Sequence, residues 1–194
     1  MQDVMVDLET LGNTAGCVIL SIGAVGFDPK TGQLGETFYE VISMDDAIRH
    51  GLLVDNETVA WWNKQSEEAR QVLREAKEGG LPLDDALHAF NRFLRGFGKG
   101  VRLWGNGSDF DNAILAFAYK ITGIPGAWAF WDNRCYRTLK SLKPSIKLVN
   151  RQGTYHNALD DAITQARHAL EMFGHKGAQT VVEAAPVEEE DLIG

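Results

Sequence analysis

Along residues 4–9 the chain reads Val4-Met5-Val6-Asp7-Leu8-Glu9. This is an apolar run of the kind that makes a buried strand. Cys17 to Phe27 is a second such run, rich in Val, Ile and Ala, with Gly23 and Gly26 interrupting it. Asp28-Pro29-Lys30-Thr31-Gly32 has turn chemistry, and Thr37 to Ile42 predicts a third strand, so the chain opens as a three-stranded meander. Helical patterning then takes over. Short helices are predicted around Asp45–His50 and over Thr58–Lys64. Ser66 followed by Glu67 and Glu68 has the pattern of an N-cap and an acidic first turn, for a helix that reaches Glu78 and stops at Gly79-Gly80. Pro82 opens another helix, whose stripe is Leu83, Leu87, Phe90 and Leu94. Val101 to Trp104 predicts a short strand, Asp109 to Thr122 a helix and Arg134 to Leu142 a shorter one. A polar, basic loop then runs through Tyr155 to a last helix over Asn157–Phe173. Strands first, then helices alternating with strands, predict an α/β domain on a mixed sheet.

The chain has 194 residues, enough for one domain with a core of its own. That domain is expected over residues 1–175. From 176 onward the composition turns to Ala, Val, Pro and Glu without usable periodicity, which predicts a flexible acidic tail open to a protein partner. The net charge of −8 at first argues against a nucleic-acid partner. Glu183, Glu188, Glu189, Glu190 and Asp191 lie in the tail with no Lys or Arg among them, however, so the domain itself is closer to neutral. The two cysteines, Cys17 and Cys135, make no zinc spacing and are expected as free thiols in a reducing compartment. No run approaches the length of a membrane span, and the N-terminus lacks a signal-peptide pattern, so a cytoplasmic protein is expected.

Candidate chemistry begins in the first strand. Residues two apart on a strand share a face, so Asp7 and Glu9 point the same way. Two buried like charges are costly unless a cation lies between them, and a divalent ion such as Mg²⁺ favours carboxylate oxygens. Asp111 lies three, four and seven residues before Ile114, Leu115 and Ala118 and shares their inward stripe, whereas Asp109 fits better as an N-cap. In the last helix, Asp160 and Asp161 flank the apolar arc of Ala158, Ala162, Ala166 and Leu170 on opposite sides, and periodicity does not choose between them. His156 stands just ahead of that helix, and imidazole as a class titrates near neutral pH.

Asp7-x-Glu9, then Phe110-Asp111 after a strand and a Gly-Asn loop, then His156-x4-Asp161 at a late helix start resembles the DEDD superfamily of 3′–5′ exonucleases. The histidine marks the DEDDh subclass, which includes proofreading subunits, RNase T and oligoribonuclease. The resemblance covers roughly residues 3–173 and favours Asp111 over Asp109 and Asp161 over Asp160. The segment Thr58-Val59-Ala60-Trp61-Trp62-Asn63-Lys64-Gln65-Ser66-Glu67-Glu68-Ala69-Arg70 is similar to a subgroup of phage exonucleases and small bacterial exoribonucleases.

The resemblance implies a ribonuclease-H-like fold, a mixed central sheet flanked by helices, and hydrolysis with two divalent ions, Mg²⁺ or Mn²⁺. Asp7, Glu9, Asp111 and Asp161 would be the metal ligands and His156 the general base. Thr10, Leu11, Gly12 and Phe110 would line the 3′-terminal nucleotide pocket. One of Trp61 and Trp62 would pack in the core while the other stacks on a base. Lys147 and Arg151, with Lys143, stand where phosphates of the upstream strand would pass. The implied substrate is single-stranded nucleic acid with a free 3′ end, in a bacterial or phage-infected cell, and relatives such as RNase T imply a homodimer. Two other readings are an exoribonuclease of very short oligomers and a binding module that has lost its chemistry. Dinucleotide-binding and P-loop functions lack their glycine fingerprints here.

Overall fold

The structure is a computed structural model that describes residues 1–107, 109–148, 151 and 153–177. Its organising element is β1, Asp3–Thr10, buried along nearly its whole length because it lies in the middle of the sheet. β2 (Ile19–Phe27) and β3 (Leu34–Val41) follow antiparallel, which is the expected meander. β4 (Arg102–Gly105) joins the other side of β1 in parallel, and β5 (Asn133–Cys135) pairs in parallel with β4. The order β3-β2-β1-β4-β5 is a mixed sheet of the α/β class.

Alternation along β1 divides the protein into two cores. Val4, Val6 and Leu8 face a core built with α4 (Leu83–Gly96) and α5 (Asp111–Thr122), where the stripe Leu83, Leu87, Phe90 and Leu94 is buried as its spacing predicts. Met5 faces a second core with α7 (Ala158–Met172), where Ala162, Ala166, Ala169 and Leu170 lie against the sheet. Asp3, Asp7 and Glu9 share the Met5 face. Asp3 is satisfied within the sheet: its carboxylate accepts from Arg102 Nε and from Trp104 Nε1, both at 2.8 Å, and so ties β1 to β4.

The short helices differ from expectation at their ends. α1 spans Met44–Arg49, and α2 spans Asn56–Trp62 because Asp55 caps it, accepting from the N–H groups of Glu57 and Thr58 at 3.2 Å. Ser66 does accept from Ala69 N–H, but that cap closes only a turn, and α3 begins at Gln71 and ends at Glu78. The segment expected as one helix from Arg134 is split. Asn133–Cys135 adds to the sheet edge, and only Tyr136–Leu142 is helical (α6). Asp109 is not an N-cap. Phe110 occupies that position without a side-chain cap, and Asp109 is exposed.

Gly23, which reads in the sequence as an interruption, lies inside β2 directly across from Asp7. A Cβ there would stand 2.1 Å from the carbonyl carbon of Ala158, so this glycine lets the start of α7 rest on the sheet beside the acidic residues. Gly23→Ala should destabilise the fold by about 3 kcal/mol or more, at or above the top of the usual overpacking range, because the obstacle is backbone. Urea unfolding would read this, and a change below about 1 kcal/mol would show that α7 yields freely.

Among the described residues no helix is long and apolar enough to cross a membrane. The acidic tail expected from residue 176 lies, beyond residue 177, outside the described residues.

Candidate active site

Three chain segments far apart in sequence bring their carboxylates to one end of the sheet. β1 contributes Asp7 and Glu9, the first turn of α5 contributes Asp111, and the first turn of α7 contributes Asp161. Both helices point their N-termini at the site, where the helix dipole favours negative charge. Asn157 caps α7, its side-chain oxygen accepting from Leu159 and Asp160 N–H at 3.1 Å, and this fixes the rotation of the first turn.

That rotation separates the two neighbouring aspartates. Asp160 turns toward the preceding loop and accepts from Thr154 N–H at 2.7 Å. Asp161 turns into the cleft, where Glu9, His156 and Asp161 each offer one ligand atom and all three atoms lie within 4.8 Å of one another. Asp111 is buried behind them. One of its oxygens accepts from Leu8 N–H at 3.2 Å and the other from Asn106 N–H at 2.6 Å, which fixes the carboxylate and leaves a lone pair on each oxygen. Asp7 is held from α7 by Gln165, whose amide donates to its carboxylate at 2.6 Å.

The charges in this cluster are strongly perturbed. Burial, then the charges of Asp111, Glu9 and Asp161, raise Asp7 well above the usual carboxylate range, against the hydrogen bond from Gln165. Burial followed by Asp161 and Asp111 pushes Glu9 up to about 8, partly offset by Arg151. Burial pushes Asp111 up to about 6, against the pull of its main-chain hydrogen bonds. A hard, all-oxygen donor set that resists carrying its own negative charge is chemically matched to divalent cations. Among the described residues Arg151 pairs with this cluster, its guanidinium hydrogen-bonded to Asp161.

A pH dependence follows for the protein held in EDTA. Unfolded, Glu9 ionises near 4.5, whereas folded it does so near 8. Between those values the folded state holds the extra proton, so wild-type stability is lost as pH rises. Glu9→Gln should therefore melt above wild type by a margin that opens from pH 4.5 and reaches about 3 °C or more at pH 8. A margin independent of pH would mean that Glu9 does not carry a strained charge.

His156 stands at the mouth of the cleft with φ at +61°, in the left-handed region that non-glycine residues enter only when their surroundings hold them there. The rings of Trp61 and Trp62 hold it, edge to face at centroid distances of 4.9 and 6.0 Å. Trp62 is the core member of that pair, 1% exposed, with its indole N–H donating to the Thr10 carbonyl at 2.9 Å. Trp61 is 43% exposed and faces the opening. The cleft measures about 370 Å³, and Thr10, Gly12, Trp61, Phe110 and His156 line it together with Asp7, Glu9 and Asp161.

One residue expected in the terminal pocket, Leu11, lies elsewhere. The Leu11 side chain is in the core, its N–H donates to the Val18 carbonyl and its carbonyl accepts from Asp55 N–H, so it presents nothing to the cleft. Lys147 and Arg151, expected along the upstream strand, line an adjoining cavity. Gly12 does face the cleft, yet its smallness also serves packing, since a Cβ there would meet the Cys17 Cβ at 2.5 Å. Gln165 was missed from the sequence, although its place four residues after Asp161 puts both on one helix face, which was the available signal.

Comparison with known proteins places this geometry in context. The profile of the Rv2179c-like family, described as the 3′-5′ exoribonuclease Rv2179c-like domain, matches residues 2–173. An exodeoxyribonuclease of Enterobacteria phage T4 is 28% identical over 125 residues. That alignment takes in 59% of this chain and 54% of the phage enzyme, so the match spans about half the relative's length. Among solved structures, the nuclease domain of 3′hExo, described as a DEDDh family member bound to rAMP, superposes with a TM-score of 0.61 at 15% identity, covering 91% of this chain and 92% of that one. A full-length 3′-exonuclease gives the same TM-score and identity, over 96% and 92%. At that identity these likenesses show the fold alone, a mixed-sheet α/β architecture shared with those structures.

Proposed function

Since the chain belongs to the Rv2179c-like 3′-5′ exoribonuclease domain family, we propose that it is a metal-dependent 3′–5′ exonuclease that releases nucleoside 5′-monophosphates from the 3′ end of single-stranded RNA or DNA. The observation that carries this reading is the meeting of Asp7, Glu9, Asp111 and Asp161 with His156 at the mouth of a cleft sized for a nucleotide. Both sugars are included because the family description names an exoribonuclease and the phage relative is an exodeoxyribonuclease.

Asp7, Glu9 and Asp161 would hold two divalent cations, Mg²⁺ or Mn²⁺, and Asp111, buried behind them and fixed by two main-chain N–H groups, would assist through water. When bound, the cations supply Lewis-acid stabilisation of the phosphate and acidify the attacking water. His156 takes the proton of that water on a ring nitrogen, close to Glu9 and Asp161. Gln165 keeps the Asp7 carboxylate oriented. Trp61 and Phe110 offer apolar walls to the terminal base, and the Thr10 hydroxyl, donating to the Gly12 carbonyl at 2.6 Å, fixes the turn beneath it. The loss-of-chemistry reading finds no support, because all five residues are present and assembled.

The deciding experiment uses 5′-labelled single-stranded RNA and DNA of equal sequence with Mg²⁺, Mn²⁺ or EDTA. A ladder that shortens from the 3′ end, absent in EDTA, is expected. Internal cuts, or cleavage that survives chelation, would sink the proposal. We extend the proposal to a homodimer, supported by the exposed Phe130 and Trp131 next to the edge strand β5, for which light scattering is the test. The free thiols of Cys17 and Cys135 support a reducing, cytoplasmic setting, in a bacterium or a phage-infected cell.

A further inference from the structure

Two arginine–aspartate pairs lie on the α7 side of the sheet, and they are built differently. Arg102 grips both carboxylate oxygens of Asp3, through Nε at 2.8 Å and Nη2 at 2.5 Å, and Trp104 Nε1 adds a third bond. Asp3 is thereby closed, at 1% exposure. It serves the sheet and nothing else.

Arg151 meets Asp161 in another way. Its Nη1 bonds one carboxylate oxygen, Oδ1, while its Nη2 turns away to the Thr154 carbonyl at 2.5 Å. Nε is buried without a partner, and the guanidinium stacks on the Tyr155 ring at 4.3 Å. A guanidinium can match a carboxylate with two parallel bonds, and here it spends one. Asp161 is also the residue whose ligand atom lies within 4.8 Å of those of Glu9 and His156.

The loop that carries Arg151 is fixed against the first turn of α7. Thr154 N–H donates to Asp160 at 2.7 Å. Gly153 adopts φ of +87°, and a Cβ there would stand 2.1 Å from the Asp160 carboxyl carbon. The loop, and not the bond to Asp161 alone, therefore holds the guanidinium at the carboxylates. A divalent cation draws on the same aspartate, and a fixed positive charge beside it opposes a second one.

We propose that Arg151 competes with the divalent cation for Asp161, so that this arginine stabilises the fold while it weakens the metal affinity of the site. The inference rests on the metal-dependent reading above. Its signature is an opposition of sign. Removing Arg151 costs the protein stability and gains it metal. The enzyme then needs more free metal to become loaded than its carboxylates alone would require. Arg151 acts through Asp161 and is a positioning residue.

The test measures the binding of Mn²⁺ alone, by isothermal titration without nucleic acid, beside thermal melts in EDTA. Arg151→Gln should melt about 3 °C or more below wild type in EDTA, since Asp161 loses its partner. The same variant should bind Mn²⁺ about tenfold more tightly, the worth of one charged hydrogen bond. Arg151→Lys keeps the charge without the fork, and its affinity should fall between those two proteins. It carries the comparison if the glutamine variant does not fold. Arg102→Gln is the control. It breaks the closed pair on the same face, so it should also melt lower, with Mn²⁺ affinity at the wild-type value.

Arg151 variants that bind Mn²⁺ no more tightly than wild type would overturn the competition. Equal tightening in Arg102→Gln would do the same, because net charge alone would then account for the effect. Either result leaves 3′ shortening by the wild type, and with it the exonuclease reading, intact. A wild type that binds no Mn²⁺ and shortens no strand would remove both.

Discussion

Asp7→Asn should abolish 3′ hydrolysis, by more than about 10³-fold, while raising the melting temperature of the protein in EDTA. The two effects have one cause. Asp7 sits on the central strand with Asp111, Glu9 and Asp161 around it, and burial together with those three charges lifts it well above the usual carboxylate range. In EDTA its negative charge is a liability, and an amide of the same shape removes the repulsion and can still bond Gln165. In the working enzyme that charge is what a divalent ion requires. Losing a single preorganised electrostatic group already costs about 10²–10³-fold, and Asp7 would be one of the metal ligands. Steady-state assays beside thermal melts with and without EDTA check this. A variant that is inactive because it is unfolded would melt lower, so the direction of the shift separates the explanations.

His156→Ala should slow hydrolysis by roughly 10²–10⁴-fold, the usual worth of a general base. The backbone makes the interpretation cleaner. His156 holds a φ of +61°, a strained state for alanine as well, so lost activity in the alanine variant alone could reflect loop relaxation. His156→Gly accepts that conformation without strain. Both variants should lose activity to the same extent, and added imidazole should restore part of it in the glycine variant. Recovery in His156→Gly without imidazole would assign the residue to loop geometry instead of proton transfer. Trp61, whose ring meets that of His156 at 4.9 Å, marks the contact that would be lost if the loop moved.

The first strand and its chemistry were legible because both are local. Period-two alternation puts Asp7 and Glu9 on one face in any fold that uses the strand, and the inward stripe of α5 carries Asp111 with it. The long helices α4 and α7 were legible for the same reason. Short elements were not. The three residues of β5 have no pattern of their own and become a strand only because β4 offers an edge. Ser66 has the right chemistry for a cap, yet the chain closes one turn there and restarts its helix at Gln71.

The placement of the site's other parts depended on contacts between distant segments. Asp160 and Asp161 are equivalent by periodicity, and the bond from Thr154 N–H to Asp160 settles which one faces Glu9. Leu11 follows the catalytic strand in sequence but turns into the core, where Val18 and Asp55 take its backbone groups. Lys147 and Arg151 are expected from the sequence along the path of the upstream strand, and only the folded chain shows the cavity they line with Lys140.

The sequence by itself determined the acidic residues, their order and the elements that carry them, because these follow from spacing along one strand or one helix. The tertiary structure alone decided how closely those elements meet. Gly23 opposite Asp7 admits the start of α7, Gln165 fixes Asp7, and Arg151 pairs with Asp161. Charge repulsion and burial act through space, so the perturbation that suits these carboxylates to a metal exists only once the chain has folded.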